Sequence, residues 1–208
     1  MKIRLTLVFL ILGILLAILG GKGLVTSVLP AKDIYDPEVD WTKLKSGQRV
    51  YVNLDYIWDC YEVTTDDNGS EVTRQYALPD IIGDNEGNVY YAHFIGITAR
   101  AAEFSQFDKL AEDSYDWDMG EYEQLGERGY IPYDGYLRKM KDQEREFLES
   151  YLKDCGFSDS DIAEMIVPVI LVRNQTPLTN ILMFAGGIVL TALGALFGFL
   201  FFIKGRKN

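Results

Sequence analysis

Hydrophobic and polar positions divide this chain into two continuous apolar ends and a patterned, charged middle. Ile181–Ile203 runs for 23 residues without a charge and is closed by Lys204, Arg206 and Lys207. As a helix it reaches about 34 Å, enough to cross a hydrocarbon core. A soluble helix has no need of apolar residues on every face for that length. Met1–Gly21 joins a basic start, Lys2 and Arg4, to an uncharged run from Leu5 to Gly21. This predicts a transmembrane signal anchor over residues 1–23. A cleaved leader shares the basic start and apolar core, but Val25 and Ser27 make a poor cleavage site with Lys22 just before them.

Between the ends the periods change. Residues 24–44 read as a connector, broken by Pro30, Asp33, Asp36 and Pro37. Trp41 marks the start of the folded domain or touches the membrane interface. In Arg49–Thr65 the apolar positions Val50, Val52, Leu54, Tyr56, Trp58 and Cys60 alternate with a mixed set, which predicts one strand. Asp66–Gly69 predicts a turn. Glu71–Leu78 returns as a second strand, and Asp84–Asn88 turns again into Val89–Thr98. That third strand is apolar on both faces, hence central. The three form an antiparallel meander.

The period then shifts to three and four. Phe104, Phe107, Leu110 and Ala111 predict a helix over Glu103–Tyr115. Asp116–Tyr133 has no period and reads as a loop. Asp134–Asp154 predicts a second helix, capped by Asp134, with Arg138–Asp142 and Glu149–Lys153 as i,i+4 ion pairs and Gly156 as its stop. Ser158 and Asp161 open a short third helix to about Met165. Ile166–Val172 reads as a strand that Pro168 sends to an edge or makes irregular. The predicted class is therefore α+β. A small antiparallel sheet packs with two or three helices over residues 45–173, flanked by an N-terminal and a C-terminal transmembrane helix. A connector covers 174–180, the second span 181–203 and a basic tail 204–208.

Charge adds topology. All 31 acidic residues lie between Asp33 and Glu164, while only 14 of the 20 basic residues fall between Lys32 and Arg173; the other six flank the apolar ends. Basic residues beside the spans predict that both termini are cytoplasmic and the middle is extracytoplasmic, at the cell membrane. So acidic a middle excludes nucleic acid as a partner, because phosphate binding needs a basic patch.

Candidate chemistry is sparse. His93 is the only histidine and reads as a structurally satisfied one, which leaves a histidine-based zinc or hydrolytic site without a second imidazole. Cys60 and Cys155 lack metal-ligand and CxxC spacing; bridged and free states both stay open. Asp113, Asp116, Asp118, Glu121 and Glu123 crowd one stretch, but Gly120 is misplaced for a calcium loop, so a solvated acidic loop is expected. Asn68-Gly69-Ser70 and Asn174-Gln175-Thr176 fit the glycosylation pattern. No hydrolase, P-loop, dinucleotide or zinc-protease motif occurs. No catalytic, cofactor-binding or metal residue is assigned. In the spans, Gly13, Ala17 and Gly21 face a stripe of Gly187, Thr191 and Ala195, while Gly194 and Gly198 form a GxxxG available to a second copy.

The strand Val50–Val63 (VYVNLDYIWDCYEV), the stop Tyr76–Asp80 (YALPD) and the helix segment Phe107–Ser114 (FDKLAEDS) resemble bacterial membrane proteins that hold an extracytoplasmic α+β domain between two spans. The resemblance implies the architecture and no activity. The expectation is a non-enzymatic, membrane-anchored interaction or assembly module. Its partners are the lipid bilayer, other membrane or extracytoplasmic proteins, and a second copy through Gly194 and Gly198. The alternatives are an accessory subunit of a transporter or channel, and a membrane-tethered hydrolase using carboxylates.

Overall fold

The computed structural model describes residues 2–28, 30–83, 89–121, 129–174 and 177–205. It forms two compact units. One joins residues 1–29 to 174–208 and the other is Pro30–Arg173. The basic tail from Arg206, the turn expected at Asp84–Asn88 and part of the second glycosylation pattern lie outside the described residues.

The first unit is a helix pair. Helix α1 spans Lys2–Val28 and α5 spans Pro177–Gly205. Within them Thr6–Val25 and Thr179–Leu200 are long and apolar enough to cross a membrane. The pair packs through small residues. A Cβ on Gly13 would come within 2.6 Å of the Thr191 backbone nitrogen, and one on Gly187 within 2.7 Å of the Gly13 carbonyl oxygen. Gly20 meets the Phe184 backbone in the same way, while Gly21 only touches the Phe184 ring. Thr191 Oγ donates to the Gly187 carbonyl at 2.8 Å, so its hydroxyl is satisfied within its own helix. Gly194 and Gly198, the pair expected to serve a second copy, also have neighbours within the chain. Gly194 is buried against Leu10 and Gly198 meets Thr6, because positions 187, 191, 194 and 198 share one helical face.

The second unit is built on seven strands: β1 (Lys32–Asp33), β2 (Arg49–Leu54), β3 (Cys60–Thr65), β4 (Glu71–Gly83), β5 (Val89–Arg100), β6 (Ile131–Lys139) and β7 (Ile166–Arg173). They form one sheet in the order β1-β2-β6-β7-β5-β4-β3. The fold is α+β as expected, but the sheet is larger than a small one and mixed, with β1 parallel to β2 and β5 parallel to β7. Three helices accompany it: α2 (Phe104–Asp118), α3 (Asp142–Asp154) and α4 (Asp159–Met165). One face of the sheet shares a core with Phe107 and Leu110 of α2, the other with Leu148 and Leu152 of α3 and Ile162 of α4. Of the expected connector, Leu24–Val28 continue α1, while Ile34, Trp41 and Leu44 are buried in the core of the second unit.

The β3-β4-β5 meander matches the sequence, as does the central place of β5. Gly69 closes the first turn at φ +80°, with Asp66 accepting from the Asn68 and Ser70 N–H groups. Three expectations are corrected. Arg49–Thr65 is two strands rather than one. β2 lies one place from one edge and β3 forms the opposite edge, and Asp55–Asp59 leave the ladder between them. Asp134 caps no helix. It pairs with Arg49 across the β2-β6 ladder at 2.5 Å, and the helix begins only at Asp142. Tyr133, Gly135 and Leu137 are buried with period 2, which makes Ile131–Lys139 a strand in what read as loop and helix. The ion-pair partners change with it: Arg138 pairs with Glu144, Arg145 with Glu149, and Lys153 with Asp159. Of the two readings of β7, an edge strand or an irregular one, the second holds, and β7 is internal. The register between β5 and β7 jumps from Phe94↔Ile166 to Gly96↔Ile170, and Pro168 sits inside that irregularity with its carbonyl accepting from Met140 N–H.

The crossing at Asp55–Asp59 shapes the sheet. Leu54 pairs with Ile131 on β6, and four residues later Trp58 N–H donates to Ala77 on β4. Four residues span at most about 14 Å. Five strand spacings in a flat sheet are about 24 Å. The sheet is therefore curled, bringing its β2 and β3 sides toward each other at this end, with Tyr56 and Ile57 fully buried in the gap.

Candidate functional site

The crossing segment is held by the second half of α2. Ile57 N–H donates to Ser114 Oγ at 3.0 Å, and Ser114 Oγ donates in turn to the Leu110 carbonyl at 2.8 Å. Ser114 is buried on the stripe that carries Phe107 and Leu110, so a small hydroxyl stands there where the helix must accept a backbone amide. Tyr56 OH donates to one oxygen of Asp118 at 2.6 Å and Tyr91 OH to the other at 2.8 Å. Trp58 Nε1–H donates to Tyr56 OH at 2.7 Å. With both phenol protons on Asp118, the 2.9 Å contact between the two hydroxyls has no proton of its own. Ionising either phenol beside that carboxylate is unfavourable. Burial, with Asp118 adding to it, pushes the Tyr91 phenol up to about 12 and the Tyr56 phenol further still.

Beside this node opens a cleft of about 520 Å³, within the range of small-molecule sites. The crossing segment gives it Trp58 and Asp59. Helix α2 gives Asp108, Glu112, Tyr115 and Asp118, and the end of α3 gives Tyr151 and Cys155. Among the described residues the walls thus combine four carboxylates, three aromatic rings and a thiol, with no lysine or arginine. Two carboxylates are fixed as acceptors: Asp118 as above, and Asp108 by Tyr76 OH and by Arg74 at 2.6 Å from outside the cleft. Asp59 Oδ1 accepts from Cys60 N–H at 2.6 Å. Burial, helped by the Asp154 and Asp59 charges, pushes the Cys155 thiol up. The Tyr151 phenol is also raised, first by burial. Trp58 is locked from behind by rings, with Tyr91 at 4.8 Å and Phe94 at 4.9 Å between centroids.

A second polar cluster lies on the α3 side of the sheet. Glu144, only 3% exposed, takes a two-pronged pair from Arg138 at 2.6 and 2.7 Å. It also accepts from Lys141 N–H at 2.7 Å and the Gln75 amide at 3.3 Å. Burial alone would raise its carboxyl, but these donors together hold it down at about 2. Burial, with the Glu144 charge, raises the neighbouring Glu62. This cluster fastens the start of α3 to the sheet.

Of the residues singled out in sequence, only Asp118 and Cys155 reach the cleft. Asp113 pairs with Lys109 on α2 at 2.7 Å, and Glu123 lies outside the described residues. No group of three metal-ligating side chains forms among the described residues. His93 Nδ1 sits 3.0 Å from Asp80 across the β4-β5 ladder, a satisfied histidine. Cys60 and Cys155 are free. Sequence reading passed over Trp58 and Asp59 because they sat inside one continuous alternation. It passed over Asp108, Glu112 and Tyr115 because they form the polar stripe, at i, i+4 and i+7, beside the apolar one that defines the helix.

Comparison with known proteins finds no match among curated proteins or solved structures. The model of one family, described as a domain of unknown function, matches residues 1–204, so both apolar helices and the whole middle unit fall within it. The chain belongs to that family, DUF8577.

Proposed function

We propose that this protein is a membrane-anchored recognition module. Its two apolar helices hold the middle domain outside the cell membrane, with both termini cytoplasmic, and the domain binds a ligand in the cleft beside α2 without chemically changing it. The observation that carries this reading is the cleft itself: a cavity of ligand size whose floor is a crossing segment fixed by Ser114 and Asp118. Pre-fixed walls favour binding, because little conformational entropy is lost when the ligand arrives. Donors from Tyr76, Arg74, Tyr56 and Tyr91 occupy the oxygens of Asp108 and Asp118, which supports recognition over proton transfer. Among the described residues, Asp55 and Glu62 are the carboxyls that burial raises, and neither lines the cleft.

Cys155 provides the test, since it lines the cleft and is exposed. The intact protein, in maltoside micelles, is alkylated with iodoacetamide in the presence of a library of neutral, anionic and cationic fragments. Cys60, which does not line the cleft, is the internal reference. Slowed alkylation of Cys155 relative to Cys60 by at least one fragment class is the expected result; no protection by any class overturns the reading. Topology is checked separately. A cysteine at the Asp67–Gly69 turn is expected to react with an impermeant maleimide on intact cells, and one in the C-terminal tail to react only after lysis.

A further inference from the structure

We infer that the cleft takes a small organic cation with an ammonium head, an inference that rests on the cleft being a binding site. Three observations on its walls converge. Four carboxylates line it, and no lysine or arginine joins them among the described residues. An anion would enter against Asp59, Glu112 and Asp118, Asp108 being paired with Arg74, and a neutral apolar ligand would strip water from carboxylates without replacing it. Next, Trp58, Tyr115 and Tyr151 line the same volume. Aromatic faces attract weakly hydrated cations, and an alkylated ammonium buries carbon against them while keeping its charge near carboxylate oxygens. Lastly, no three ligating groups converge on one point among the described residues. A calcium ion requires six or more oxygens about one centre. An ammonium with carbon substituents needs no such convergence, only carboxylates and aromatic surface lining one cavity.

Glu112 is the carboxylate that distinguishes this class from the bare cleft. It is exposed on α2, four residues from Asp108, and it is not among the donors and acceptors that hold the crossing segment. Tyr115, 63% exposed on the same stripe, is the ring with the least part in the core. Replacing either removes ligand contact while leaving the node at Asp118 in place.

The experiment compares choline chloride with its neutral isostere 3,3-dimethylbutan-1-ol as protectors of Cys155 in the full chain, in uncharged maltoside micelles. Calcium chloride is a third arm. Choline is expected to protect at concentrations about fivefold or more below those the isostere needs. Glu112→Gln and Tyr115→Ala should each weaken choline about fivefold, matching one cation contact. Glu112→Gln should not change protection by the isostere. Equal protection by choline and the isostere, or choline protection untouched by Glu112→Gln, overturns the cation class while leaving the cleft as a binding site. Protection by calcium and not choline overturns it in favour of a metal. If none of the three protects and the fragment library also fails, the binding reading falls with it.

Discussion

Tyr56 donates to Asp118 across 2.6 Å, tying the chain where it crosses between two sides of the sheet to the last turn of α2. Tyr56 is fully buried, and its oxygen also accepts the Trp58 indole N–H. Tyr56→Phe removes the donor and the acceptor together and takes from the Trp58 N–H its 2.7 Å partner. An unsatisfied buried group of this kind costs about 1–3 kcal/mol. The variant is expected to unfold at lower temperature and to lose amide-exchange protection at Ile57 and Trp58 before β5 loses it. Unchanged protection at those two amides would mean that Ser114 alone holds the crossing.

The Arg138–Glu144 pair should show itself in acid. The Glu144 carboxyl sits at about 2 in the fold against an ordinary 4.5. Because the folded value is the lower one, unfolding takes up a proton between the two. The pair's contribution is complete above about pH 4.5 and is lost as the pH falls toward 2. Glu144→Gln should cost about 3 kcal/mol at pH 7. That is the low end for a broken buried pair, since the Arg138 side chain is 29% exposed and water can take up part of its charge. Measured by urea unfolding, the gap between wild type and Glu144→Gln should narrow steadily from pH 4.5 to pH 2. A gap constant with pH would assign the loss to packing instead.

How much of this was legible in the sequence follows from what each pattern encodes. The apolar ends were readable because they run uncharged for the length of a span, and the β3-β4-β5 meander because its strand-forming stretches are separated by turn residues such as Asn68-Gly69. The crossing was not: Tyr56 and Ile57 are neighbours and both fully buried, which neither a strand nor a surface loop dictates. Only the curl of the sheet, a property of all its strands together, creates a place for both. Strand β6 was misread because Leu137 and Met140, three apart, are both buried and imitate a helix, while the partner that makes Leu137 a strand residue, Leu171 on β7, lies far along the chain. The cleft was the least legible part. Its walls come from three segments, and each of its residues has an ordinary local reading.

The two cysteines, left open as bridged or free, are free in the fold. Cys60 Sγ donates to the Glu62 carbonyl at 3.3 Å, and Cys155 follows the last turn of α3. Burial raises both thiols, so the thiolate fraction at neutral pH is below that of an exposed cysteine. Two thiols are expected to titrate in protein purified without reductant. Cys155 should react before Cys60, and both rates should keep climbing with pH past the ordinary thiol range near 8.5. A single species that shifts on reduction would show a disulfide and reject this arrangement.

The helix pair offers the sharpest comparison, because adjacent glycines differ completely in surroundings. A Cβ on Gly187 would collide with the Ala17 backbone, which cannot swing away as a side chain can; a Cβ on Gly186 meets nothing within 4 Å. Without a hydrophobic force between helices in lipid, close backbone approach and the dispersion contacts it permits hold such a pair together. Gly187→Leu should therefore push α5 off α1, and Gly186→Leu should be tolerated. Leu10 and Gly194 supply the ruler, since a Cβ at Gly194 lies 3.0 Å from Leu10 Cγ. Cysteines at both positions, with Cys60 and Cys155 changed to serine, are expected to crosslink in membranes. After proteolysis of the middle domain, the linked spans should run as one band without reductant. Gly187→Leu should cut that band severalfold, and Gly186→Leu should leave it intact. Equal yield from both variants would show that the spans are held near each other by the middle domain alone, and that the small residues have no part in their packing.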